Sequence, residues 1–157
     1  MQGPCRAACC QRATRTRATP PGWDRRVVRA RCSTARWVIR AQTEQGKRFE
    51  RVRLVDEPVT QGQEFLLASG LGNVAAGEDI RNLTRSEAQA LRLADYDFWL
   101  FDSKTLVRFA FDEDDVTLGV YVTEDPADVL TACQARDAAW HYATPTSDFQ
   151  QRVRSSV

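Results

Sequence analysis

Three short apolar segments in the second half of the chain, separated only by brief polar connections, constrain the fold more than any other feature. They span residues 97–102, 105–111 and 116–122, and the connecting stretches read DSKT and DEDD. Connections this short join antiparallel neighbours, because a parallel pair needs a crossover of a dozen or more residues. The sequence therefore predicts an antiparallel meander. Both faces of its first strand are mainly apolar, so we expect that strand to lie inside a sheet.

The segment before the meander contains a predicted helix and a predicted strand. The helix spans 34–45, with Gly46 as its stop and with Trp37, Val38 and Ala41 facing inward. The stretch RFERVRLVDEP that follows predicts a strand, because its apolar residues cluster before a closing proline. The run is too apolar for an exposed edge, so this strand should also lie inside the sheet.

Capping boxes predict two more helices. Thr60 with Gln63 opens a helix over 61–69, and Thr84 with Glu87 opens a short one after a brief strand over 78–83. Three glycines, at positions 70, 72 and 77, should interrupt the first of these helices. Their spacing superficially resembles a dinucleotide fingerprint. It follows a predicted helix instead of a strand, so that interpretation fails.

A last helix should begin at Asp125 and Pro126 and end near Tyr142, covering one face of the sheet. Together the elements predict an α+β (mixed α/β) fold in a single domain over 32–145. Its centre should be a largely antiparallel sheet of about five strands, with a C-terminal meander and flanking helices. Residues 1–31 are predicted to be a basic, disordered tail, and residues 146–157 a C-terminal tail.

Charge is distributed unevenly along the chain. Residues 1–53 hold 14 of the 22 Lys and Arg but only three of the 21 acidic residues. Such asymmetry fits a solvated basic arm, and it also fits an arm that binds an anionic partner such as nucleic acid. No aromatic residue precedes Trp23 and no nucleic-acid motif follows it, so we favour the solvated arm.

Cysteine and histidine usage gives no support for a metal or cofactor site. The chain has five cysteines and one histidine, His141, and the C-x3-C-C spacing near its start is not that of a zinc site. We therefore expect no cofactor, no structural disulfide and a reducing cytoplasmic location. No apolar run approaches the roughly 20 residues of a membrane helix, so we expect no membrane partner.

We interpret the acidic residues around the first meander strand as structural and not as catalytic. Asp95, Asp97 and Asp102 lie where the strand begins and ends, and Asp is favoured at such bends because its side chain bonds nearby backbone amides. Better candidates flank the glycine-rich stretch or lie near the strand ends. The predicted ligand- or partner-binding residues are Glu78, Asp79, Arg81, Arg85, Trp99 and Asp102.

Several motifs together resemble one known family. They are RVRLVDEP, NVAAGEDIRNLTR and DFWLFD, followed by an acidic hairpin and a last helix that carries Trp140. Over residues 45–145 the chain resembles an uncharacterised group of small actinobacterial proteins that carry a domain of unknown function. The layout is similar to half of a phospholipase-D-like domain. The catalytic H-x-K-x4-D motif is missing, since Tyr142 and Ala143 follow His141.

The resemblance implies a non-catalytic binding or regulatory module, accessory to a helix-turn-helix regulator, that recognises a partner protein or a small ligand. Two alternatives stay open. One is a small cofactor-free enzyme, such as a cyclase, isomerase or lyase, with Asp or Glu as acid and base and an Arg as anchor for an anionic group. The other is nucleic-acid binding through the basic N-terminal region. Homo-oligomerisation is also open.

Overall fold

The structure is a computed structural model that describes residues 6–11, 35–113 and 116–155. Within these residues the chain forms seven strands and five helices. In chain order they are β1 (Arg6–Gln11), α1 (Ala35–Thr43), β2 (Arg48–Val55), α2 (Gln61–Val74), β3 (Glu78–Thr84), α3 (Arg85–Ala90), β4 (Phe98–Phe101), β5 (Thr105–Phe111), β6 (Thr117–Thr123), α4 (Pro126–Tyr142), β7 (Thr144–Pro145) and α5 (Thr146–Arg154). No described helix has the length and apolarity needed to cross a membrane.

Two groups of three strands form the sheet, and β1 lies between them. One group is β6-β5-β4 and the other is β2-β3-β7, giving the order β6-β5-β4-β1-β2-β3-β7. Strands β1, β2 and β3 are mutually parallel, and the remaining pairs are antiparallel. The α+β class and the meander β4-β5-β6 are therefore confirmed. The predicted sheet of about five strands is not found, because seven strands pair in one sheet. Four of its six pairings are antiparallel, and the β1–β2 and β2–β3 pairings are parallel.

Helices cover both faces of the sheet. On one face, α3 and α4 bury β-strand side chains in two clusters, one around Val52 and Leu83 and the other around Phe98 and Leu106. On the other face, α2 and α5 enclose Val55 together with their own apolar residues. Parallel strands flanked in this way are buried on both sides, which is why the predicted interior position of β2 is correct.

The predicted starts of α2, α3 and α4 are confirmed by their caps. At Thr60 the side chain accepts from the backbone N–H of Gln63, and the Gln63 side chain accepts from the backbone of Thr60. Thr84 and Glu87 form the same reciprocal pair. Asp125 accepts from two backbone amides at the start of α4. These caps satisfy amide groups that have no partner inside a helix.

The predicted glycine interruption is wrong, because α2 continues through Gly70 and Gly72 to Val74. Both glycines lie where an arginine guanidinium crosses the helix. A Cβ at Gly70 would be 3.0 Å from Nη1 of Arg53, and one at Gly72 would be 2.7 Å from Cζ of Arg36. Glycine at these positions allows each arginine guanidinium to lie close to the helix backbone. The two glycines do not end the helix.

The predicted inward face of α1 is also wrong. Trp37 is 65% exposed and Val38 is 39% exposed, whereas Ile39 is 6% exposed and is the residue of α1 that reaches the interior. A nine-residue helix that contacts its neighbours along a narrow edge buries few positions. The sequence pattern alone does not say which edge that is.

Both predicted tails contain secondary structure. Strand β1 lies between β2 and β4, inside the range 1–31 that was predicted as a basic tail, and residues 1–5 and 12–31 of that range lie outside the described residues. Residues 146–154, predicted as a C-terminal tail, form α5, in which Phe149 is 2% exposed and packs near Leu67. Most residues of α5 are polar, and Phe149 is its one aromatic residue, so Phe149 supplies the main apolar contact between this helix and the core.

Candidate functional site

The predicted site residues do not converge at one place. Glu78 and Trp99 lie on the face of the sheet covered by α2. Asp79 and Arg81 lie on the opposite face, because successive side chains of a strand alternate. Arg85 begins α3, at the carboxyl end of β3, and Asp102 lies in the turn after β4.

Glu78 and Trp99 are connected by a residue that the sequence analysis did not select, Arg51. The Nε atom of Arg51 is 2.7 Å from Oε1 of Glu78, and its guanidinium carbon lies 5.1 Å from the centre of the Trp99 ring. The Glu78 side chain is fully buried and that of Arg51 is 14% exposed. We call Arg51, Glu78 and Trp99 the Arg51 cluster.

The strand register explains how this cluster forms. Arg51 is paired with Ile80 across the β2–β3 ladder. Glu78 lies two residues before Ile80 on β3, so its side chain is on the same face as that of Arg51. On the other side, β1 separates β2 from β4, and Cys9 of β1 pairs in backbone register with both Arg51 and Trp99. Two strand spacings amount to about 10 Å, a distance that a long arginine side chain can partly cover.

The Arg51 cluster is suited to holding a polar group. The guanidinium of Arg51 lies against one carboxylate oxygen of Glu78 and leaves the other available. That second oxygen, Oε2, is buried and has no hydrogen-bond partner among the described residues. It can accept one further hydrogen bond, from a water or from a donor group on a ligand.

Asp79 and Arg81 form a second, more exposed arrangement with Trp140 of α4. The guanidinium carbon of Arg81 lies 4.0 Å from the centre of the Trp140 ring, and Nη1 donates to the Trp140 carbonyl at 3.3 Å. Nη2 of Arg81 is 3.7 Å from Oδ2 of Asp79, whose side chain is 50% exposed. The aromatic contact and the carbonyl bond therefore fix Arg81 to the end of α4, and the ion pair is secondary.

One turn before Trp140 on α4, Arg136 connects the helix to the turn after β4. Its Nη1 donates to Oγ of Ser103 at 2.7 Å, and its Nε donates to Oδ1 of Asp137 at 2.8 Å. Burial lowers the pKa of Arg136, but the hydrogen bond to Asp137 and the nearby charges, including Glu50, together raise that pKa above its ordinary value. The guanidinium is therefore cationic at every pH at which the protein is folded.

Arg85 belongs to a network at the carboxyl ends of β2 and β3. It forms an ion pair with Asp56, whose Oδ2 also accepts from the Gln63 side chain at 2.8 Å. Gln63 in turn accepts from the backbone amides of Asp56 and Thr60. Carboxyl ends of parallel strands commonly bind ligands, but here the polar groups join α3 to the start of α2.

Asp102 is part of a tight turn. Asp102 and Ser103 have φ values of 51° and 54°, and the amide of Lys104 donates to the Phe101 carbonyl at 2.9 Å. Asp is one of the few residues other than Gly that adopts positive φ readily. Its position is explained by the turn, as the sequence analysis proposed for the acidic residues at the strand ends.

Residues 11–151 match the model of a protein family described as a domain of unknown function, DUF6879. The chain belongs to the DUF6879 family. The match confirms the resemblance to an uncharacterised domain family and covers more of the chain than residues 45–145. No curated protein and no solved structure matches the chain.

In this DUF6879 chain the sequence analysis missed Arg51, Asp56 and Gln63 as partners of the selected residues. The available signal was the RVR pattern on β2, where Arg51 and Arg53 alternate with apolar residues. Arginines at alternate positions usually indicate a solvent-facing strand surface. Arg53 is only 8% exposed, because helices cover both faces of this part of the sheet.

Cysteine and histidine side chains contribute little to these arrangements. Cys133 is a free thiol that packs, partly buried, against the cluster around Phe98. His141 is exposed and lies edge-on to the Tyr142 ring. Among the described residues, no group of three or more His, Cys, Asp or Glu is arranged to hold a metal ion.

Proposed function

We propose that this chain is a non-catalytic interaction module that recognises a partner protein. The observation that carries the proposal is the apolar surface of α1 and α2. Trp37 is 65% exposed and Phe65 is 72% exposed, and Leu66, Leu71 and Val74 are each more than two-fifths exposed. We call these residues the α1–α2 surface.

The composition of α2 supports a covered helix. Its 14 residues include one charged residue, Glu64, and apolar residues occur on every side. A helix that is apolar all round is normally buried. Two hydrogen bonds from Arg36, to Oδ1 of Asn73 at 3.4 Å and to the Ser69 carbonyl at 3.5 Å, hold α1 beside α2.

The size of this surface favours a protein over a small ligand. Large apolar side chains with these exposed fractions present roughly 500 Å² in total, spread over more than one side of two adjacent helices, whereas a small ligand is normally enclosed in a concave pocket. Exposed apolar area of this size commonly marks protein–protein contacts. Their core residues are often aromatic, as Trp37 and Phe65 are.

The charged residues of the predicted site support a role without catalysis. Glu78 pairs with Arg51, Asp79 with Arg81, and Asp56 with Arg85, at three separate places. General acid–base catalysis requires groups that converge on one reacting atom. Glu78, Asp79, Arg81, Arg85, Trp99 and Asp102 stay in the proposal as residues that shape a recognition surface or a small-ligand site.

The wider setting is part of the same proposal. We place the module in the cytoplasm of an actinobacterium, as a regulatory accessory to a helix-turn-helix protein, on the strength of the motifs that resemble that group. The layout similar to half of a phospholipase-D-like domain fits a copy that keeps the fold without the reaction.

The experiment is capture of a partner from a lysate of the source organism on immobilised chain, followed by mass spectrometry. The test variant is the double substitution Trp37→Lys, Phe65→Lys. The matched control is Leu130→Lys, because Leu130 is an equally apolar residue, 58% exposed, on α4. We expect a stoichiometric partner with the wild type and the control, and loss of that partner with the test variant. Capture that survives both lysines would refute the proposal.

A second candidate is a small cofactor-free enzyme, and one observation favours it. Glu78 is fully buried, and within the described part of the chain its Oε2 has no hydrogen-bond partner, so this oxygen can accept a hydrogen bond from a substrate group. The direct contact with Arg51 argues the other way. Mass spectrometry of small molecules that copurify with the chain separates the candidates, because a stoichiometric metabolite that is converted on incubation requires an enzyme.

Nucleic-acid binding through the basic N-terminal region is the third candidate. In the described part of that region, Arg51 and Arg53 are largely buried and offer little to a phosphate backbone. Arg36, Arg40 and Arg48 are exposed and are the residues that could contact one. A salt titration of DNA binding tests this candidate, since phosphate contacts give a steep loss of affinity with salt.

A further inference from the structure

Strand β6 lies at one edge of the sheet and has few of the features that normally protect an edge. Among the described strands it pairs only with β5. Its seven residues, TLGVYVT, include no charged residue and no proline. Natural edge strands usually carry a lysine, a proline or a bulge, because an open edge is a template for pairing with another chain. Strand β6 has a register shift against Ala110 and Phe111 at its start, and from Gly119 to Thr123 it pairs regularly with β5.

The backbone direction of β6 follows from a single hydrogen bond on β5. The amide of Phe109 donates to the carbonyl of Asp97 at 2.9 Å, so the backbone groups of Phe109 point towards β4. Its partner across the β5–β6 ladder is Val120, and the next such pair joins Val107 to Val122. Backbone groups alternate along a strand. The amides and carbonyls of Val120 and Val122 therefore point out of the sheet.

Side chains on one face of this edge are apolar and exposed. Val122 is 57% exposed and lies on the same face as Val120, whereas Leu118, which is 51% exposed, lies at the register shift between the Ala110–Gly119 and Phe111–Thr117 pairs. On the other face Gly119 has no side chain to oppose an approaching strand. The edge thus combines open backbone groups with a row of apolar contacts, the two elements of recognition by strand addition.

Both ends of β6 are acidic. Asp112 and Glu113 precede it, as do Asp114 and Asp115 in the sequence, and Glu124 and Asp125 follow it. A second copy of this chain would bring acidic ends together whether it paired parallel or antiparallel. Like charges in close contact oppose association. A strand with basic ends would be attracted at both.

We propose that the β6 edge binds an extended segment of a partner protein, in which alternating apolar residues lie between lysine- or arginine-rich flanks. The segment would add a strand beside β6, with main-chain hydrogen bonds to Val120 and Val122. Its β-branched side chains would contact Leu118, Val120 and Val122, and its flanks would meet the acidic ends. This site is separate from the α1–α2 surface, so either proposal can fail without the other.

The test uses a fluorescent synthetic peptide with alternating valine and threonine and two lysines at each end. The protein variant is Val122→Pro, which removes an outward amide and leaves the β5–β6 ladder bonds in place; proline is tolerated at such edge positions. The control is Val122→Ala, which keeps the amide and shortens the side chain. Circular dichroism melting checks that both variants fold.

We expect the peptide to bind the wild type and Val122→Ala, and to bind Val122→Pro about tenfold more weakly or worse, since each strand-addition contact contributes a hydrogen bond. The same peptide with glutamate ends, and a version N-methylated on alternate valines, should bind the wild type at least as poorly. Raising salt from low to physiological levels should weaken binding further.

Three results would overturn the proposal. The first is failure of the lysine-flanked peptide to bind at millimolar concentration. The second is equal binding of the lysine-flanked, glutamate-flanked and N-methylated peptides, a comparison that needs no protein variant. The third is a dimer of the chain alone, seen by sedimentation and abolished by Val122→Pro, which would assign the edge to a second copy.

Discussion

Removal of Arg51 is the sharpest test of the Arg51 cluster. Arg51→Met keeps most of the apolar stem of the side chain and deletes the charge opposite Glu78, whose side chain is fully buried. At an effective dielectric constant of about 20, two charges at close contact attract by about 4 kcal/mol. Loss of one partner of a buried pair typically lowers the free energy of unfolding by about 3–5 kcal/mol, because the other charge stays desolvated.

Substitutions at Glu78, alone and combined with Arg51→Met, measure the coupling free energy between the two side chains. Glu78→Gln alone should cost less, about 1–3 kcal/mol, since a neutral amide tolerates burial better than an unpaired charge. In the double variant the Gln removes the unpaired charge left by Arg51→Met. The double variant should therefore be more stable than the sum of the single losses predicts, by about 2 kcal/mol.

The assay is urea unfolding followed by circular dichroism, which avoids any direct effect of Arg51 on Trp99 fluorescence. Arg48→Met is the matched control, because Arg48 pairs with Glu50 at 2.8 Å on the same strand but is 51% exposed. Exposed pairs contribute about 0–1 kcal/mol. If Arg51→Met costs no more than Arg48→Met, or if the two losses at Arg51 and Glu78 add within about 0.5 kcal/mol, the buried-pair reasoning is refuted.

Three further substitutions test other parts of the fold by the same unfolding assay. Phe149→Ala should cost about 3–5 kcal/mol if α5 is part of the core, whereas a cost below about 1 kcal/mol would make it a tail. Gly77→Ala should lower the free energy of unfolding by at least about 2 kcal/mol, because φ is 100° and a Cβ would lie 2.7 Å from the Thr43 hydroxyl. Adding Thr43→Ala removes the clash but not the unfavourable φ, so it should restore only part of that stability. Full recovery would contradict the backbone argument. Thr84→Ala should cost about 1–2 kcal/mol through loss of the capping box, and Thr84→Ser, which keeps the hydroxyl, should cost much less; equal losses would rule out the cap as the cause.

Local sequence signals predicted the elements well. The capping boxes at Thr60 and Thr84 and the Asp-Pro start of α4 each depend on residues within one turn, so their physics is complete in the sequence. The meander was predictable for a similar reason, since short connections leave only neighbouring antiparallel pairings.

The candidate site was harder to predict, because its contacts join residues that are distant in the chain. Glu78, Trp99, Asp79 and Arg81 were selected as one group of binding residues, although alternation along β3 already predicts that Glu78 and Asp79 lie on opposite faces. The residue that connects Glu78 with Trp99 is Arg51. The RVR pattern of β2 is the local signal for it, and the same pattern is typical of a solvent-facing strand.

By itself the sequence determined the starts of α2, α3 and α4 and the meander β4-β5-β6, because caps and short turns act over a few residues. Only the tertiary structure decided which faces are covered, that β1 joins the two groups of strands, and that Phe149 holds the last helix to the core. Those outcomes depend on the pairing and packing of segments far apart in the chain. Exposed apolar residues on α1, α2 and β6 become visible only when the covered surface is known.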